Sequence, residues 1–206
     1  MEKLLKYLLI ILGVTGGICL IYFLAMALMI GYAFGSFDKI YSTSELKEEY
    51  FSKEIEIKEL VSYYNKIKPK NYSIDIEFKD DEILERLEIT TSKDSAFNVI
   101  YQGWDVRVAD LQNDSLKNIL NWEVDVVTEL KVKLDKANCI SVEDGEPIKI
   151  GFKRSGLGMY SFNIFQSIQT DRTEYNNQCE YILVNRYLAL QYGGGAIGAQ
   201  CFPDKN

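Results

Sequence analysis

The hydrophobic pattern divides the chain at once. From Tyr7 to Phe37 no side chain is charged, and only Thr15, Cys19 and Ser36 interrupt a run of Leu, Ile, Val, Met, Ala, Gly, Phe and Tyr. About 20 apolar residues cross the hydrocarbon core as a helix, and this run has 31. A cleaved signal peptide has an apolar core of only about 7–15 residues, so the pattern predicts an uncleaved transmembrane anchor over residues 1–36. A straight helix of that length reaches about 46 Å, and tilt or a helical continuation must absorb the excess. Small residues recur at four-residue spacing, Gly13 with Gly17 and Gly31 with Gly35. Such pairs let two helices approach closely and permit a homodimer through the span, although Gly is also simply common in membrane spans.

Beyond the anchor the period changes repeatedly. Residues 37–70 read as a juxtamembrane helix, with a Ser42-Thr43-Ser44 start, Leu46, Tyr50, Ile57, Val61, Tyr64 and Ile67 at helical spacing, and Pro69 as the stop. Tyr72, Ile74, Ile76 and Phe78 alternate as a strand, and Ile83, Leu87 and Ile89 return as a second, with Glu85 breaking the pattern. A third strand carries Phe97, Val99 and Tyr101, then Trp104, Val106 and Val108. The parity change predicts a bulge at Gly103 that keeps this set facing the core. Leu116 to Ala137 reads as one helix, because more than 20 residues pass without Gly or Pro, although Trp122–Val126 alternates locally. Four strands follow, around Ile148–Phe152, Tyr160–Ile164, Tyr181–Val184 and Tyr187–Tyr192, the last two joined at Asn185-Arg186. The expectation is an α+β fold: one transmembrane helix, then a single extracytoplasmic domain over 71–206 with a largely antiparallel sheet of about seven strands and two main helices.

Composition narrows the chemistry. The chain has 30 acidic and 23 basic residues, and only Glu2, Lys3 and Lys6 precede the apolar run, so the acidic excess belongs to the remainder. Nucleic acid is a poor partner for such a surface. With no histidine, the common Ser-His-Asp, Cys-His and imidazole–metal arrangements are excluded. The glycine-rich run from Gly193 lacks the Lys-Ser/Thr pair and following helix of a phosphate loop. The acids at 80–82 and at 143, 144 and 146 have turn positions rather than calcium-loop spacing. No cofactor or metal is expected. Of four cysteines, Cys19 lies in the span and Cys139 begins an apolar stretch. Cys179 and Cys201 sit in polar or glycine-rich settings and are expected to be bridged, with Cys139–Cys201 as the rival pairing.

A short basic tail before a long apolar run reads as a signal anchor, with the N-terminus inside a cytoplasmic membrane and the domain in the periplasm or cell exterior. The leading functional expectation is a non-catalytic protein-binding or inhibitory role, immunity-like or accessory to the envelope. The polar loop Gln166–Gln178 and the turn after it would supply contacts through Asp171, Arg172, Glu174, Tyr175 and Tyr187. Tyr63, Tyr175 and Tyr187 are expected to be exposed. A second reading is a glycan or cell-wall binding module using such aromatics. A third is an enzyme with carboxylate or cysteine chemistry.

Overall fold

The computed structural model describes residues 2–35, 37–93, 96–156, 158–194 and 198–205. Ser36, Leu157 and part of the glycine-rich tail (195–197) lie outside these, as does the Phe97 side chain. The chain forms two compact units, one of residues 1–39 with 155–157, the other of the remaining residues.

The first unit is helix α1 (Glu2–Ala33). Its stretch Leu5–Tyr32 has a mean hydropathy of 2.5 and is long and apolar enough to cross a membrane. Gly13 and Gly17 have open space where a Cβ would stand. Gly35 lies beyond the helix end with a φ of +70°. The pairing of Gly31 with Gly35 on one helical face is therefore corrected.

In the second unit, Ser42 starts helix α2 (Thr43–Ser52) with a capping box. Its Oγ accepts from the Glu45 N–H, and the Glu45 carboxylate accepts from the Ser42 N–H. The single helix expected here is two. Lys53 donates to the Tyr50 carbonyl, a tightened i→i−3 turn, and helix α3 (Glu54–Ile67) begins after it. The long helix expected at 116–137 is also broken. Helix α4 (Asp114–Leu120) ends at Asn121, whose left-handed φ of +50° few other side chains tolerate. The break turns Trp122 inward, where its Nε1 donates to the Ile67 carbonyl at 2.8 Å. Helix α5 (Val124–Lys136) follows.

Eight strands build one antiparallel sheet: β1 (Ser73–Phe78), β2 (Ile83–Lys93), β3 (Ala96–Arg107), β4 (Ser141–Glu143), β5 (Ile148–Ser155), β6 (Gly158–Ile164), β7 (Tyr181–Asn185) and β8 (Leu188–Gly193). Their order is β3-β2-β1-β4-β5-β6-β8-β7. The fold is α+β, and the short β4 is the strand beyond the expected seven. The final hairpin turns at Arg186-Tyr187, one residue later than expected, with the Asn185 side chain accepting from the Tyr187 N–H at 2.8 Å.

Side chains alternate across a strand. Ile74, Ile76, Leu87, Ile89, Val142, Ile150, Phe152, Tyr160, Phe162 and Leu190 share one cluster with Leu46, Tyr50, Ile57, Leu60, Tyr64, Leu120, Val127 and Leu130. The helices α2–α5 thus cover one face. On β3 the expected bulge at Gly103 is replaced by two irregularities. Ile89 faces Tyr101 while Thr90 faces Val99, so Ile100 is the extra residue; further along, Asp105 takes a φ of +49°. Val106 and Val108 are buried as expected, but Val99 and Trp104 are 57 % and 59 % exposed. Their assignment to the core is overturned because they stand on the face away from the helices.

Cys179 and Cys201 are bridged, and Cys139 is free and buried, which overturns the rival pairing. The bridge holds the C-terminal segment where Phe202 is fully buried and Asp204 accepts from both the N–H and the hydroxyl of Thr43 at the start of α2.

Candidate binding surface

The loop proposed for contacts is an organised element. The Arg172 guanidinium donates to the carbonyls of Ser167, Ile168, Thr170 and Arg186 and lies over the Phe165 ring. The Asp171 carboxylate accepts from the N–H and hydroxyl of Thr173, and these bonds hold it below its ordinary pKa. Glu146 accepts from Gln166, Ser167 and Thr170 across the base of the loop. Tyr175 is half-buried in the 3₁₀ turn Thr173–Asn176, edge-on to Phe165 and Tyr181 at 5.0 and 5.1 Å. Asp171, Arg172 and Tyr175 therefore build the loop, whereas Glu174 is exposed. Tyr187 is 42 % exposed and borders a groove of about 320 Å³ with Tyr50, Glu54, Lys58, Ile164, Phe165 and Asn185. Tyr63, expected to be exposed, is half-buried: its hydroxyl donates to the Val126 carbonyl and Lys133 lies over its ring.

The sheet face away from the helices carries a second, unanticipated arrangement. Strand registers align Gln102, Glu88, Asp75, Glu143 and Lys149 across β3, β2, β1, β4 and β5. Three carboxylates thus stand side by side, a placement that costs energy without compensation. Compensation comes from the ends and from one neighbour. Lys149 Nζ lies 3.3 Å from Glu143, Gln102 donates to Glu88 at 3.2 Å, and the Arg86 guanidinium contacts Asp75. Burial first, then the Glu143 charge, raise the Asp75 carboxyl from 3.8 to about 7, against the pull of Arg86 and Lys149. This acid row floors a groove of about 310 Å³ with Ser73, Thr90, Val99 and Asp144 on its sides.

The adjacent row aligns Trp104, Arg86, Glu77 and Ser141. Glu77 is 2 % exposed and is held by Arg154 through two bonds of 2.6 and 2.7 Å. Arg86 lies 6.0 Å from the centre of the Trp104 ring. Towards β6 and β8 the same face becomes buried, at Ser161, Asn163 and Gln191. The accessible part of this face is thus its β1–β3 end, acidic at the floor and apolar at the rim.

No family model, curated protein or solved structure matches the chain.

The surface can hold a proton near neutrality and attract cations. The Cys139 thiol lies elsewhere, buried, and burial pushes it up to about 12, so it stays protonated at neutral pH. Among the described residues no cluster of three or more carboxylate or thiol side chains has metal-binding geometry. Sequence reasoning missed the acid row because its members come from three strands. Asp75 and Glu88 each occupy the polar position of an alternating strand, which was legible; that they stand opposite each other depends on register, which was not.

Proposed function

We propose that the chain is a membrane-anchored binding protein, inhibitory or accessory rather than catalytic, whose β1–β3 sheet end engages another protein. In this reading α1 sits in a cytoplasmic membrane with its N-terminus inside, and residues 40–206 work outside. The observation that carries it is the exposed Trp104, with Val99 and Ile100 exposed further along the same strand, on the sheet end that no helix covers among the described residues. Aromatic side chains presented in this way are favoured at protein interfaces, and an apolar patch with a charged border marks interaction sites. The Cys179–Cys201 bridge supports an oxidising compartment, and tethering raises the local concentration for a partner in the same membrane. The test is photo-crosslinking in native membranes, with a photoreactive residue at position 104 or, as control, at Val132 on exposed α5. A discrete adduct from 104 alone is expected; identical patterns from both positions, or none, would overturn the reading.

The Tyr187 groove favours a second reading. Tyr187 is the one exposed ring of this groove, which has Asn185, Glu54 and Lys58 as polar groups and the buried Tyr50 and Phe165 behind them, a combination that a saccharide can use. Purified wall polymer should then bind the full chain in detergent and lose binding on Tyr187→Ala. Tyr175→Ala is no test, since that ring packs inside the loop.

A further inference from the structure

Resting on the protein-binding reading, we infer that the partner adds an extended strand to the free edge of β3, and that this strand carries Lys or Arg at alternate positions. The two sheet edges differ. β7 is five residues long, and the 3₁₀ turn with Tyr175 packs against it. β3 is twelve residues long, and among the described residues it pairs only with β2. Natural edges are blunted by Lys, by Pro or by bulges. β3 contains neither Lys nor Pro. Its bulge at Ile100 and the left-handed Asp105 leave between them a segment, 101–104, that pairs with β2 in one unbroken register. That length suits a short incoming strand held by main-chain bonds, with alternate side chains giving specificity.

Charge and shape then select those side chains. A strand beside β3 places every second residue on the face that bears Val99, Gln102 and Trp104. The next strand inward presents Glu88, which among the described residues only the Gln102 amide contacts, and beyond it lie Asp75 and Glu143. A Lys or Arg stem laid along Trp104 keeps its apolar part on apolar surface and carries its cation towards Glu88, which faces Gln102 one pair further along. Trp104 also offers its ring to a cation, as it does to Arg86 at 6.0 Å. An acidic strand would add like charge beside Glu88, and a purely apolar one would bring it no counter-charge. A second copy of this chain is a poorer occupant, since its own β3 brings Asp105 and a single Arg107 to the edge.

The experiment uses the full chain in nanodiscs and an eight-residue peptide of alternating Lys and Val. Three comparators accompany it: the peptide with Glu for Lys, the same peptide N-methylated at alternate backbone amides, and the chain with Glu88→Lys. Of the two tryptophans only Trp104 is exposed, so binding is read as a blue shift of its emission, absent in Trp104→Phe. The Lys–Val peptide should bind, and each comparator should weaken it at least tenfold. Equal binding of the N-methylated peptide would overturn strand addition in favour of charge attraction alone. A peptide-resistant dimer in sedimentation would overturn it in favour of a second copy. A crosslink at position 104 in membranes without any peptide response removes strand addition and leaves the binding reading standing; loss of both removes both.

Discussion

Two carboxylates on β1, two residues apart, show how differently neighbours set the state of one chemical group. Glu77 is 2 % exposed, and the Arg154 fork satisfies both its oxygens. Breaking a buried pair from one side strands the other charge. Arg154→Ala is therefore expected to destabilise by about 3 kcal/mol in urea unfolding, the low end of such losses because Arg154 itself reaches water. Asp75 has a contacting guanidinium too, yet burial and Glu143 outweigh it and its carboxyl rises from 3.8 to about 7. Between those values the folded protein keeps a proton that the unfolded chain has released, so stability falls as pH rises through that window and the loss is complete above it. Asp75→Asn should remove this slope in melting temperatures measured from pH 4 to pH 8. The same proton opposes a cationic ligand. Binding of the Lys–Val peptide should strengthen from pH 6 to pH 8 as Asp75 ionises beside Glu143, Arg86 and Lys149, and the Asn variant should show no such gain.

At the scale of elements, the breaks matter more than the runs. Asn121 ends α4 in a left-handed conformation so that Trp122 can be buried and bonded to Ile67. Asn121→Gly should leave the melting temperature nearly unchanged, whereas Asn121→Val should cost about 1–2 kcal/mol for the strained φ. Periodicity alone read 116–137 as one helix, since no Gly or Pro interrupts it, and nothing local says that an indole donor has a partner 55 residues earlier. The strands were largely legible because each keeps one buried parity: Ile74, Ile76 and Phe78, or Ile148, Ile150 and Phe152. β3 was misread for a reason tied to its place. An apolar residue on an edge strand need not face the core, and the expectation that Val99 and Trp104 were buried treated hydrophobicity as burial. The candidate surface lay in that error. Its acids were visible as polar alternates, but the register that lines them up is a tertiary fact.

At the scale of the whole molecule, the covalent clasp and the proposed anchor can be tested together in one measurement. The bridge closes a loop of 22 residues, worth about 3 kcal/mol on the chain-entropy model. It also keeps Phe202 in the core and Asp204 on the Thr43 N-terminus of α2, so Cys201→Ser should lower the unfolding midpoint and open the C-terminal segment to limited proteolysis. Whether cells form the bridge reports on the compartment, because cytosolic thiols are kept reduced. Intact full-length chain, denatured from whole cells with a thiol-reactive mass tag, should take up two tags, on Cys19 and Cys139, and four after reduction. Without denaturant, buried Cys139 should resist tagging. Four tags before reduction would place the folded unit on the reducing side of the membrane, and the proposed orientation would fall with it. The edge-strand inference would survive that result, since the free edge of β3 and the acid row beside it do not depend on which side of the bilayer they face.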